Sequence, residues 1–218
     1  MSEITTVLWD IGGVLLTNGW DRYSRARVLK QFGVDEEKFE ALHPEANDAW
    51  EKGFITADEY LRQTVFTETR SFTPAEFLAA MKAESTLLEN TALPVLEELA
   101  FSSSIGIGML NNEAKELNDN RIEKFGLHHY FDVFFSSCYV GLRKPEERIY
   151  RLALDVLQVE GDSVVFIDDR ENNVEVAKSL GIHAIHYKDK SPDDLRAELL
   201  KLGLELGGDQ DDDGQDEE

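Results

Sequence analysis

The chain opens on an apolar run, Val7-Leu8-Trp9, that ends in a single aspartate, Asp10. Gly12 and Gly13 follow, and the apolar pattern resumes at Val14-Leu15-Leu16. A short apolar run bounded by turn residues predicts a buried strand over residues 4–9. The period then changes. Tyr23, Val28, Leu29 and Phe32 fall at helical spacings ahead of Gly33, which predicts a helix over 21–32. Two further helical stretches cover 35–42 and 44–52, the second stopped by Gly53. Thr56 and Thr73 are each followed three residues later by a glutamate, the capping-box spacing, and Pro74 takes the first helical position after Thr73. These signals predict helices over 56–65 and 73–83. No strand pattern occurs between residues 20 and 85.

From about residue 90 the two periods alternate. Helices are predicted over 93–100, 113–125, 145–157, 172–180 and 193–202, and strands over 105–110, 131–135, 163–167 and 184–187. Such alternation predicts an α/β fold, a doubly wound parallel sheet with helices on both faces. A single strand is not stable alone, so residues 4–9 must join this sheet. The helical block is then an insertion. The expected organisation is an α/β core domain from 1–17 and 86–205, an inserted helical domain over 18–85, and a tail over 206–218.

Composition narrows the class of protein. Of 218 residues, 42% are hydrophobic and 30% charged, as in a soluble globular chain. Acidic residues outnumber basic ones by 44 to 22, giving a net charge of −22, which repels nucleic acid and anionic membranes. No apolar run approaches the roughly 20 residues of a membrane span. The first residues lack the basic-then-apolar pattern of a signal peptide, and one cysteine, Cys138, cannot form an internal disulfide. A cytoplasmic location is expected, as a monomer or homodimer. Seven acids fall within 209–218 with no apolar residue among them, so the tail is expected to be disordered and solvating.

The strand ends carry the chemistry. Asp10, Asn111-Asn112, Lys144-Pro145 and Asp168-Asp169 each lie at or beyond the end of a predicted strand. In an open parallel sheet, ligands bind at the carboxyl ends of the strands. Each residue alone has an ordinary reading as a turn, cap or surface group. Together they bring three carboxylates, amides and a lysine to one edge. Crowded carboxylates raise one another's pKa, and a divalent cation with oxygen ligands relieves them. Mg2+ suits few carboxylates combined with phosphate oxygens. Lys144 and the Asn111 amide can then hold phosphoryl oxygens, and Asp10 can attack phosphorus. Secondary candidates are Arg22, Arg25, Arg27 and Lys30, as anion binders on the first predicted helix. Trp20 is a candidate pocket wall, and Glu113 and Asp21 are candidate acids.

The motifs resemble those of the haloacid-dehalogenase superfamily, on the side of glucose-1-phosphate-type phosphatases and the phosphatase domain of soluble epoxide hydrolases. Asp10-Ile11-Gly12-Gly13-Val14-Leu15 resembles the first motif and Met109-Leu110-Asn111-Asn112 the second. Gly141-Leu142-Arg143-Lys144-Pro145-Glu146 resembles the third, and Phe166-Ile167-Asp168-Asp169-Arg170 with Asn172-Asn173-Val174 the fourth. The helical insert is similar to the superfamily's cap. The resemblance implies a Mg2+-dependent phosphatase acting on a small phosphorylated metabolite, sugar-phosphate-like, through an aspartyl-phosphate. It makes Asp10 the nucleophile. The metal ligands would be Asp10, the Gly12 carbonyl, Asp168 and Asp169, and phosphate would be held by Lys144, Asn111 and Asn112. Two departures stand out. Gly12 occupies the place of the usual second aspartate, the general acid/base, and Asn111 replaces a serine or threonine. Two other readings use the same residues: a 2-haloacid dehalogenase, and a phosphate-binding member without turnover.

Overall fold

Strand β1 (Thr6–Trp9) is buried along its whole length and lies at the centre of the sheet. The computed structural model describes residues 2–102 and 105–206. Residues 207–218, which hold nearly all of the expected acidic tail, lie outside the described residues. The remaining strands are β2 (Gly106–Met109), β3 (Val133–Phe134), β4 (Val164–Asp168) and β5 (His183–His186). The order is β3-β2-β1-β4-β5 and every neighbouring pair is parallel, the expected α/β class. Trp9 pairs with Met109 on one side and Ile167 on the other, so the residues after β1, β2 and β4 leave the sheet side by side. The chain runs outward from β1 through β2 to β3, then returns across β1 to β4. The β1/β4 seam is therefore the topological switch point, where such sheets bind ligands.

Helices α1 (Arg22–Phe32), α2 (Glu36–Glu51), α3 (Ala57–Thr64) and α4 (Pro74–Ala83) form the insertion after β1. Those that follow are α5 (Leu93–Ser102), α6 (Lys115–Lys124), α7 (Ser137–Val140), α8 (Glu147–Leu157), α9 (Glu171–Ser179) and α10 (Pro192–Lys201). Strand alternation divides the core. Val7 and Trp9 point to one face, with Leu96 and Leu99 of α5 and Leu195 and Leu199 of α10. Leu8 points to the other, with Ile149 and Ala153 of α8 and Ala177 of α9. The inserted helices have their own core of Trp20, Phe39, Trp50, Tyr60 and Phe77, which Leu117 of α6 and Ala114 just before it join.

Local signals set most helix starts. Thr56 and Thr73 both form complete capping boxes, and Pro74 opens α4. One expectation differs. The two stretches split at Pro44 form a single helix, α2, with Pro44 inside it. A proline there removes one helical hydrogen bond. Phe39, His43, Ala46 and Trp50 nevertheless form one continuous buried face, and that burial outweighs the loss. The short helix α7 has no periodic signal of its own and was not expected. None of the described helices is long and apolar enough to cross a membrane.

Leu8→Ala, in the central strand, is expected to cost about 2–5 kcal/mol. Thr73→Ala, which removes a cap, should cost about 1 kcal/mol. Urea denaturation with unchanged slope checks both, and a Leu8 cost no larger than the cap's would contradict this core.

Candidate active site

The β1/β4 register delivers the predicted carboxylates together. Asp10 and Asp168 follow paired residues on neighbouring strands, and oxygens of Asp10, Asp168 and Asp169 all lie within 4.8 Å of one another. Lys144 reaches them from the loop before α8. Its Nζ lies 3.0 Å from Asp10 Oδ1 and donates to Asp168 Oδ2 at 2.6 Å. All three of these groups are buried. Asp168 is further held by Asn173 Nδ2, at 3.0 Å from each oxygen, and by the Arg170 amide at 2.8 Å. Asp10 Oδ1 also accepts from the Ile11 amide at 2.8 Å.

Charge does not balance within this cluster. Burial, together with Asp168 and Asp169, raises Asp10 to about 7 despite Lys144. Burial also raises Asp169. Burial works against the Lys144 ammonium, but Asp10 and Asp168 outweigh it and hold its pKa above the ordinary value. When all three carboxylates are ionised, one ammonium leaves two negative charges uncompensated, and the raised pKa of Asp10 and Asp169 reflects that crowding. Asp169 Oδ1 is buried without a hydrogen-bond partner among the described residues; Arg170 Nε stands off at 4.0 Å. An orphaned buried carboxylate oxygen and a deficit of two positive charges fit a divalent cation with oxygen ligands.

The two glycines after Asp10 have steric reasons. Gly13 has φ +75°, and a Cβ there would lie 2.2 Å from Asp169 Oδ2, so only glycine admits that carboxylate. A Cβ on Gly12 would lie 2.8 Å from Asn18 Oδ1. Asn18 also donates to Asp169 Oδ2 at 3.2 Å. The space into which a side chain at position 12 would grow is therefore filled by Asn18, which no motif in the sequence marks.

The amides after β2 take different roles. Asn112 Nδ2 donates to the Lys144 carbonyl at 2.8 Å, and Asn112 Oδ1 accepts from the Lys144 amide at 2.8 Å. Asn112 thus clamps the backbone of the lysine. Asn111 is buried, its amide donates to Asn118 Oδ1 at 2.9 Å, and it does not line the cavity beside Asp10. Among the candidate acids, Glu113 is buried and paired with Arg121 at 2.9 Å, and burial raises its pKa. Asp21 caps α1 by accepting from the amides of Tyr23 and Ser24.

A cavity of about 250 Å³ opens in front of Asp10, Gly12 and Lys144. The inserted helices supply its roof: Trp20, Arg22 and Arg25 at the start of α1, and Asn47 and Glu51 from α2. Of the predicted basic cluster, only Arg22 and Arg25 line it. Arg27 pairs instead with Glu84, and Lys30 is exposed. Trp20 is fixed by its Nε1 donating to Tyr60 Oη at 2.7 Å, and His43 Nδ1 lies 2.9 Å from the same oxygen. Burial, with Arg25 nearby, pushes His43 down to about 4, so its neutral ring serves in that network. Asn18, Asn47, Arg143 and Arg170 also line the cavity; they come from loops and helix faces whose mutual approach has no periodic signal.

Residues 4–181 match the family model described as haloacid dehalogenase-like hydrolase. The chain is 27% identical over 219 residues to Phosphatase MT3486 of Mycobacterium tuberculosis, covering 94% of this chain and 98% of that protein. It is also 27% identical over 203 residues to Drimenol cyclase drtB of Aspergillus calidoustus, covering 91% of this chain but 36% of the cyclase, so it spans little more than a third of that relative. A HAD family enzyme of Bacteroides thetaiotaomicron, solved in complex with magnesium and inorganic phosphate, superimposes with a TM-score of 0.70 at 23% identity, over 86% of this chain and 95% of that one. The chain belongs to the haloacid dehalogenase-like hydrolases.

Added Mg2+ is expected to raise the thermal midpoint of the full chain. A concentration 100 times the dissociation constant contributes about 2.7 kcal/mol. Asp169→Asn should shrink that rise. Melting curves with Mg2+ against NaCl of equal ionic strength check it, and a wild-type midpoint indifferent to Mg2+ would sink the cation reading.

Proposed function

We propose that this haloacid dehalogenase-like hydrolase is a Mg2+-dependent phosphatase of small phosphorylated metabolites, sugar-phosphate-like in size, working through an aspartyl-phosphate on Asp10. The observation that carries the reading is the convergence of Asp10, Lys144, Asp168 and Asp169 at the β1/β4 seam, opening on a small polar cavity. The phosphatase relative and the magnesium and phosphate bound by the Bacteroides enzyme support it.

In this reading an oxygen of Asp10 attacks phosphorus, and the bond from phosphorus to the ester oxygen breaks. The electron pair leaves with the alcohol oxygen, which must gain a proton. Water then attacks phosphorus, the bond to Asp10 breaks, and phosphate is released. Lys144, held by the Asn112 clamp, stays close to Asp10 and offers its charge to the phosphoryl oxygens. The Asn111-Asn112 segment shapes the same edge. Mg2+, held by Asp10, Asp168, Asp169 and the Gly12 carbonyl, would neutralise charge on the phosphoryl group. Residues 18–85 act as a cap whose Trp20 and arginines face the substrate. Substrate capture under such a roof excludes bulk water during transfer.

The weak step is protonation of the leaving alcohol. Gly12 has no side chain, Glu113 is committed to Arg121, and an asparagine fills the vacant direction. General acid help is worth about 10²–10⁴-fold, so leaving groups that need little protonation are favoured. The dehalogenase reading fits less well, because Asp169 and Asp168 beside Asp10 would repel a 2-halo carboxylate.

Assay of an aryl phosphate against an alkyl phosphate of similar size tests this. Both should need Mg2+, with the aryl ester faster by about 10²–10⁴-fold. Asp10→Asn should lower the rate by at least about 10³-fold. Metal-independent turnover, or none for either ester, would overturn the assignment. Gly12→Asp alone should not speed alkyl phosphate turnover, whereas Gly12→Asp with Asn18→Ala should narrow the aryl/alkyl gap. Equal gain from the single change would show that Asn18 does not obstruct.

A further inference from the structure

Position 12 has no side chain, yet the space beside it is occupied by a polar atom. A Cβ built on Gly12 would lie 2.8 Å from Asn18 Oδ1. Standard bond lengths put a carboxylate oxygen about 2.4 Å from its own Cβ. Asn18 Oδ1 therefore lies at nearly the distance at which an aspartate in place of Gly12 would hold its oxygen. An acceptor oxygen is supplied to this part of the site from residue 18 instead of residue 12.

The sense of the amide is set by its neighbour. An ionised carboxylate only accepts, so Asn18 turns its nitrogen to Asp169, and Nδ2 donates to Asp169 Oδ2 at 3.2 Å. That leaves Oδ1 as the free end, and no described residue donates to it. The backbone on both sides is pinned. The Thr17 carbonyl accepts from Arg121 Nη2 at 3.1 Å, and the Thr17 amide donates to the Thr86 carbonyl at 2.9 Å. Gly19 has φ +58°, and a Cβ there would run into the Arg121 guanidinium. A rigid acceptor beside a cluster of carboxylates repels anions and suits a neutral donor, such as water. Asn18 also lines two cavities, the one in front of Asp10 and a second of about 470 Å³ bounded by Gly13, Asp169, His186 and Lys188. Water thus has a second approach to Asn18 when a leaving group fills the first.

We propose that Asn18 is the positioning residue for the hydrolytic water, its Oδ1 accepting a hydrogen bond from the water that attacks the aspartyl-phosphate. The inference rests on the phosphatase reading. In this step the water oxygen bonds to phosphorus and the bond from phosphorus to Asp10 breaks. The electron pair returns to the Asp10 carboxylate, and the proton that water sheds passes to solvent. An amide oxygen neither takes that proton nor donates one. Asn18 therefore covers the water-orienting half of a second aspartate's work and not the protonation of the alcohol. The second step is assisted and the first is not.

Rapid-quench kinetics of the full chain with a saturating aryl phosphate and Mg2+ read the two steps separately. Aryl alcohol released in the first turnover gives the rate of the first step. The amount of acid-trapped phosphoenzyme relative to free enzyme gives the ratio of the first rate to the second, whichever step limits. Asn18→Ala should raise that ratio about 3–10-fold, the worth of one neutral hydrogen bond, while the first step keeps its wild-type rate. Adding Gly12→Asp to Asn18→Ala should bring the ratio back to the wild-type value or below, because the new carboxylate then takes the vacated space. A residue that merely supports Asp169 would behave differently: its loss would slow the first step or raise the Mg2+ requirement and leave the ratio unmoved. That pattern overturns the proposal, as does a higher KM with an unmoved ratio, which would assign Oδ1 to a substrate hydroxyl. A ratio that stays high in the double variant overturns the shared position. Wild-type turnover with no trapped phosphoenzyme removes the aspartyl-phosphate reading itself. A wild-type phosphoenzyme whose level is indifferent to Asn18 removes the role of Asn18 alone.

Discussion

The ammonium of Lys144, buried between Asp10 and Asp168, is the interaction on which the site depends. Without it, neighbouring strands would end in carboxylates held out of water with no counter-charge, a costly arrangement. Much of the surrounding structure maintains that contact. Asn112 grips the lysine's backbone from the end of β2, and Asn173 and the start of α9 fix Asp168 from the other side. The ammonium offsets only part of the negative charge. The remainder is what makes the carboxylate cluster suited to a further cation.

The inserted helices are tied to the sheet by a second buried pair. Arg121 of α6 binds Glu113, the Thr17 carbonyl at 3.1 Å and Ser85 Oγ at 3.0 Å. Thr17 and Ser85 lie on the two crossings between the helical insertion and the sheet, and Thr17 also bonds across to Glu84 and Thr86. One guanidinium therefore joins both crossings to the helix beside the reactive edge. Leu117 of that helix packs into the core of the insertion, so roof and floor share side chains as well as hydrogen bonds. That construction places Trp20 and Arg22 in front of Asp10 even though the sequence separates them from Lys144 by more than a hundred residues.

Legibility followed the range of each interaction. The strands, both capping boxes and Gly33 at the end of α1 are governed by neighbours within a few residues, and periodicity and turn chemistry exposed them. Asp10, Lys144 and Asp168 were legible for a different reason. Parallel strands all point their carboxyl ends the same way, so polar residues that end apolar runs must collect at one edge. Pro44 misled because a local rule lost to the buried face that runs from Phe39 to Trp50 along a sixteen-residue helix. Asn111 offered a donor to phosphate on paper, but in the folded chain its side-chain amide donates to Asn118 in the first turn of α6. Asn18 gave no signal, since its role comes from a loop folding back over Gly12.

By itself, then, the sequence determined the α/β alternation, the position of the helical insertion and the set of charged groups at the strand ends, because these depend on period and on chain direction. Tertiary structure alone decided which of those groups are already partnered. It paired Glu113 with Arg121 and Arg25 with Glu40, and put Asn18 where a second aspartate would grow. The reason is physical: a side chain's charge can be read from its identity, but whether that charge is already neutralised depends on distances that only the folded chain sets.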